Sequence, residues 1–230
     1  MPYLHIPNYP GNMKSISMVR TAALLNLLGA TGILIWWLLM PAFLPVADAP
    51  THFEHLILDG DWIPVNMVGL VSTILLALGF PGFFFAHQGK SDKLGFAGLL
   101  VTSTGFMLFV SIQYYETLLW PAAAMNNPDL VQVNGALVSG NYGVASGLVA
   151  SGIFLGLGYI LFGISALRNN ILPRLPLWML IFGAPVFANG IVFPVRTVGL
   201  LFLVAGTIWL AIYIGTSSPP QAGTIADHDA

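Results

Sequence analysis

Two histidines and an aspartate stand at 52, 55 and 59, within Thr51-His52-Phe53-Glu54-His55-Leu56-Ile57-Leu58-Asp59-Gly60. On a helix the spacing i, i+3, i+7 aligns all three on one side. Two neutral imidazoles and a carboxylate form a facial set that can hold a divalent metal. Thr51 and Glu54 have capping-box spacing and Gly60 can end a helix, so a short helix is predicted here. Phe53, Leu56 and Ile57 would occupy another side. The plainer reading is an interfacial helix with wet polar groups. H-x-x-H alone is unspecific, and nothing resembles the H-E-x-x-H of zinc hydrolases.

Glu116 is the second chemical candidate. It lies in a long apolar run, about one turn before Trp120, with Gln113 and Thr117 on the same helical face. A carboxylate near hydrocarbon is costly and should face a bundle interior or a polar cavity. Arg196 falls at a similar depth, so a buried ion pair between the two is expected. Otherwise Glu116, Gln113 and Arg196 would form a substrate, ion or proton site.

Gly143, Gly147, Gly152 and Gly156, with Ser151, make a strip of small residues containing two G-xxx-G pairs. Such a strip lets another backbone approach closely in lipid. It serves either packing within one bundle or a contact with a second copy or a partner membrane subunit. Asn26, Asn66 and Asn189 read as hydrogen-bond donors between helices.

Other chemistries find no residues. The chain has no cysteine, which excludes disulfides, thiolate metal sites and cysteine redox catalysis. No phosphate loop, nucleophile elbow or basic nucleic-acid patch is present. No lysine lies inside an apolar run, and no facing mid-membrane histidines suggest haem. No cofactor is expected beyond a divalent metal at the 52–59 stripe.

The elements carrying these residues are overwhelmingly apolar. Charged residues make up 7% of the 230, hydrophobic ones 57%, and mean hydropathy is +0.83. A soluble domain carries roughly a quarter of its residues as charges. Six stretches are long enough to read as spans: 18–40, 62–87, 94–120, 142–167, 176–193 and 195–214. Pro41 and Pro121 should stop the first and third, and Pro81 should kink the second. A tight turn around Pro194 should join the last two. The predicted fold is an all-α membrane bundle of six transmembrane helices over 1–216, with one or two short outer-face interfacial helices. Residues 217–230 read as a disordered cytoplasmic tail. Ala47-Asp48-Ala49 mimics a signal-peptidase site. The apolar run before it exceeds the 7–15 residues of a signal h-region, and Pro50 would follow the cut.

Lys and Arg orient the bundle. Lys14, Arg20, Lys90, Lys93, Arg168 and Arg174 fall on one face, and Arg196 alone on the other. Both termini should therefore be cytoplasmic, in the cell membrane. The outer face collects Asp48, Glu54, Asp59, Asp61, Glu116 and Asp129. Trp62, Trp120, Tyr114 and Tyr115 suit an outer aromatic belt. In the long outer connection, Asn127-Pro128 resembles a helix start, and Leu130, Val133 and Leu137 follow at helical spacing. A second interfacial helix ending near Gly140-Asn141 is predicted, roofing an acidic outer chamber. A faint echo, Gly69-Leu-Val-Ser-Thr against Gly147-Leu-Val-Ala-Ser, suggests that spans two–three and four–five are duplicated hairpins.

Three functions remain. The leading one is a non-enzymatic complex subunit or ligand-binding bundle. The second is a small-solute or ion transporter using the acidic chamber. The third is a metalloenzyme built on His52, His55 and Asp59, with Glu116 completing the set if the short helix folds over the third span. The lipid bilayer is the expected environment, and nucleic acid is not an expected partner.

Overall fold

The computed structural model describes residues 12–46, 52–86, 92–132, 134–139, 144–170, 172–189 and 193–216, and all its regular structure is helical. The long helices are α1 (Asn12–Phe43), α3 (Trp62–Phe85), α4 (Lys93–Tyr114), α6 (Val144–Asn169), α7 (Arg174–Asn189) and α8 (Phe193–Thr216). Two short helices are α2 (Phe53–Ile57) and α5 (Trp120–Asn126). Five helical stretches are long and apolar enough to cross a membrane: Ser17–Phe43, Trp62–Phe85, Lys93–Asn126, Val144–Asn169 and Pro194–Thr216. The sixth expected span, α7, has 16 residues. At 1.5 Å per residue it is about 24 Å long, short of the roughly 30 Å hydrocarbon core.

The helices are apolar on both sides, as a bundle in lipid requires. Along α1, Ala23, Ala30, Ile33 and Trp37 are buried while Leu24, Leu28, Ile35 and Leu38 are exposed. Consecutive long helices pack side by side, and α8 returns to α1, closing a ring of six. Ala23 lies by Gly215 and Trp37 by Thr197, so α1 and α8 run antiparallel.

Three hairpins, α1–α3, α4–α6 and α7–α8, interlock through glycines. A side chain at Gly29 would meet the backbone of Ser72 and Leu76 at 2.8 Å. One at Gly158 would strike Thr102, and one at Gly199 would strike Phe187. Only a missing Cβ allows backbones this close. The α3–α4 and α6–α7 pairs, expected to be the hairpin units, pack against each other as well, with Gly163 of α6 against Ile181 of α7. The echoed glycines sit at matching places: Gly69 lies against Trp36 of α1, and Gly147 against Ile112 of α4. Each belongs to the second arm of its hairpin.

Toward the ends of α3 and α6 that adjoin the basic loops, aromatic rings fill the ring of helices. Phe80 contacts Phe83, Phe106, Tyr159 and Phe162 at centroid distances of 5.1–6.2 Å. At the same end, Asp92 caps α4. Its carboxylate accepts from the Gly95 amide at 2.8 Å and from the Ser165 hydroxyl of α6. These hydrogen bonds, Ser165 foremost, hold the Asp92 carboxyl below its ordinary value, with the charge of Arg168 assisting.

Several boundaries differ from expectation. Helix α1 starts at Asn12 and runs past Pro41 to Phe43. Pro121 does not stop the third span, which continues through a π turn at Tyr115–Leu119 into α5. Pro194 lies inside the first turn of α8 rather than in the connection. The second interfacial helix is only a 3₁₀ turn, Pro128–Val131. There the Leu137 amide donates back to the Leu130 carbonyl at 3.1 Å, and Gly135 lies against the Leu130 and Asp129 carbonyls. The chain doubles back on itself, which a continuous helix cannot do. The Ala47–Ala49 motif, Thr51, His87, Val133, Gly140, Asn141, Gly143 and the tail 217–230 lie outside the described residues.

Candidate functional site

The corner around Glu116 is built by a register change. In a π turn each carbonyl accepts from the amide five residues on. The Trp120 amide accordingly donates to the Tyr115 carbonyl. The next bond would come from residue 121 to Glu116, but Pro121 has no N–H. The Trp62 indole supplies the missing donor, Nε1 to the Glu116 carbonyl oxygen at 3.1 Å. The π turn thus depends on a tryptophan from the first turn of α3.

A chain of contacts runs from this tryptophan to Arg196. The Trp62 carbonyl accepts from Asn66 Nδ2 at 2.9 Å, and Asn66 Oδ1 accepts from Trp36 Nε1 at 3.2 Å. Trp36 meets Trp37 edge-on at 6.0 Å. The Arg196 guanidinium lies 5.6 Å from the ring centres of both Trp37 and Phe187, within cation–π range. Its Nε donates to the Phe187 carbonyl at 3.3 Å.

Glu116 and Arg196 come to the same corner but form no contact ion pair among the described residues, where the pairing present is His52–Glu54. Among the described residues, Arg196 is the charged group that lies near enough to act on Glu116. That carboxylate makes no hydrogen bond to a described residue. Gln113 and Trp120 share the buried face of the same helix, at 5% and 3% exposure. Gln113 Oε1 and Trp120 Nε1 are buried without a hydrogen-bond partner among the described residues. Orphaned buried polar atoms are uncommon and call for an explanation. Trp62 and Trp120, expected in a lipid-facing belt, are core residues, whereas Tyr114 is exposed.

Helix α2 covers this corner from outside. Phe53 packs edge-on against Trp120 at 5.6 Å and Trp62 at 6.5 Å, and Leu56 and Ile57 are buried. His52 and His55 are exposed, with their rings stacked 4.9 Å apart. The helix ends at Ile57, so Asp59 never joins the histidine side. Its Oδ1 instead accepts from the Asp61 amide at 2.9 Å, shaping the turn into α3. Glu54 stands beside the histidines, its Oε1 3.3 Å from His52 Nδ1. The hydrogen bond from its own backbone amide holds its carboxyl below the ordinary value, and His52 and His55 add to this against an opposing cost of desolvation.

Gly152 and Gly156 of the small-residue strip are buried within this chain, and Gly147 is half-buried. Asn66 bridges α1 and α3 as an acceptor. Asn26 bonds its own helix, Nδ2 to the Ala22 carbonyl at 3.1 Å, and its Oδ1 is buried without a partner among the described residues. The sequence reading missed Trp62 as a partner of Glu116. The available signal was a proline five residues after Glu116, which marks a carbonyl without its π donor.

The chain matches no protein-family model, and no curated protein or solved structure is significantly similar to it. Fold and site together define an all-helical, membrane-like bundle with a polar corner at one end.

Proposed function

We propose that the chain is an integral membrane protein that binds a small zwitterionic solute at the Glu116–Arg196 corner. The observation that carries this reading is that Glu116 and Arg196, an acid and a base, reach one polar corner without forming a contact ion pair among the described residues. A ligand ammonium suits the Glu116 carboxylate, and a ligand carboxylate suits the Arg196 guanidinium. Gln113 and Trp120 offer the further acceptor and donor that orient such a ligand. The aromatic packing around Phe80 favours binding over open passage, because it fills the ring toward the other end.

The closed ring of antiparallel neighbours supports six crossings, with α7 as a short sixth that thins the bilayer locally or is covered by its neighbours. An even number puts both termini on one side. The excess of Lys and Arg in the loops at that end makes it the cytoplasmic side of the cell membrane. In this chain without native thiols, a cysteine at exposed Gly60 should be labelled from outside intact cells by an impermeant maleimide. A cysteine at Thr216 should not. Labelling of Thr216→Cys from outside reverses the orientation.

Binding is tested on purified protein in nanodiscs with glycine betaine and with free amino acids. A zwitterion should raise Tm with concentration and change tryptophan fluorescence. Glu116→Gln and Arg196→Gln should each abolish both responses. If no zwitterion shifts Tm, or the shift survives both substitutions, the reading is wrong.

A further inference from the structure

We propose that His52, Glu54 and His55 bind one divalent transition-metal ion, zinc by the character of its ligands, on the outer rim of the bundle. The nearest ligand atoms of these three side chains all lie within 4.8 Å of one another. Zinc binds imidazole nitrogen and carboxylate oxygen at about 2.0–2.2 Å, so ligands sharing a tetrahedral ion stand about 3.3 Å apart. His52 Nδ1 and Glu54 Oε1 already have that separation, at 3.3 Å.

The third ligand needs a rotation. The His52 and His55 rings are nearly parallel, at 16°. In-plane lone pairs on stacked rings cannot point at one ion, so at least one imidazole must turn out of the stack. Both rings are exposed and free to do so. The carboxylate is the fixed member, because its side chain is only 13% exposed. Its Oε2 is buried without a partner among the described residues. A backbone anchored by Phe53, Leu56 and Ile57 presents that carboxylate between the two imidazoles. Exposed histidines on a loose loop would have no such fixed partner.

Three protein ligands leave a fourth position for water or a solute, as in open metal sites rather than closed structural ones. The ligands are a His/His/Glu set contained within four residues. Asp59, held in its turn by the Asp61 amide, is not among them. This site shares no residue with the Glu116–Arg196 corner, so either can fail without the other.

The test uses the full chain in detergent, treated with chelator and then given zinc chloride. One zinc per chain should remain after desalting, and Tm should rise with zinc concentration. His52→Ala and His55→Ala should each abolish the retained zinc and the Tm rise, while their metal-free Tm stays at the wild-type value. Asp59→Asn and Asp129→Asn should keep both responses. Cobalt(II) added to the wild-type protein gives a check that needs no substitution, since imidazole ligation produces visible ligand-field bands. Absence of those bands together with an unchanged Tm overturns the proposal. So does a zinc response that survives the double substitution of both histidines.

Discussion

The indole of Trp62 donates to the carbonyl oxygen of Glu116 at 3.1 Å, filling the bond that Pro121 cannot make. Two helices that are distant in sequence are thereby joined at the one turn whose register departs from α. The bond fixes the position of Glu116, because a π turn with an unsatisfied buried carbonyl would relax. Trp62→Phe keeps most of the packing but removes the donor. It should cost about 1–3 kcal/mol, the usual penalty for an orphaned buried acceptor. Pro121→Ala restores a backbone N–H at the fifth position. Added to Trp62→Phe, it should recover part of the lost stability. Urea or thermal unfolding in detergent measures this, and strict additivity of the two changes would contradict the assigned hydrogen-bond exchange.

Glu116 and Arg196 should behave as a separated pair. Removing one member of a buried contact pair costs roughly 3–5 kcal/mol. Here a double-mutant cycle of Glu116→Gln and Arg196→Gln should give a coupling on the order of 1 kcal/mol. Arg196→Lys keeps the charge but loses the planar group that lies over Trp37 and Phe187. It should destabilise by about 1–2 kcal/mol. A coupling as large as a contact pair's would show that the two charges close on each other in the membrane.

The small residues of α6 should differ sharply in their tolerance of a methyl group. At Gly158 an added Cβ meets the Thr102 backbone nitrogen at 2.5 Å, where nothing can yield. Gly158→Ala should cost about 1–3 kcal/mol through overpacking. At Gly147 the new atom meets only the flexible end of Ile112, at 3.1 Å. Gly147→Ala should therefore be nearly neutral. Thermal melts of the two variants side by side read the contrast.

Asp92 should make stability fall in acid. Its folded carboxyl is held below the ordinary value of 3.8, first by the Ser165 hydroxyl and then by the Gly95 amide. A depressed carboxylate contributes stability that is fully present above its ordinary value and lost as pH falls through the folded one. Tm should thus decline as pH drops below 3.8. Ser165→Ala should shrink that decline. Asp92→Asn, which can still cap α4, should remove the contribution of this site. Glu54, lowered in the same direction, adds to the acid loss from the opposite end of α3.

The amino-acid sequence alone was enough for the helical class, the positions of the long apolar helices and the apolar side of α2. These follow from local properties. Hydropathy accumulates residue by residue along a helix, and Phe53, Leu56 and Ile57 need only helical periodicity to share a side. Details that depend on contacts between distant segments were settled by the tertiary structure. Pro121 reads as a stop because the bond it lacks is normally lost, and only the arrival of Trp62 lets the helix continue. Asp59 has the right spacing for a metal stripe, but the Asp61 amide takes its carboxylate and the helix ends before it. Glu54, on the wrong side by helical periodicity, reaches His52 because that histidine precedes the helix and does not follow its rotation. Glu116 and Arg196 were matched by depth, which sequence can supply. Their separation was not legible, because Arg196 is drawn aside by Trp37, Phe187 and a carbonyl that become its neighbours only when α8 packs against α1 and α7.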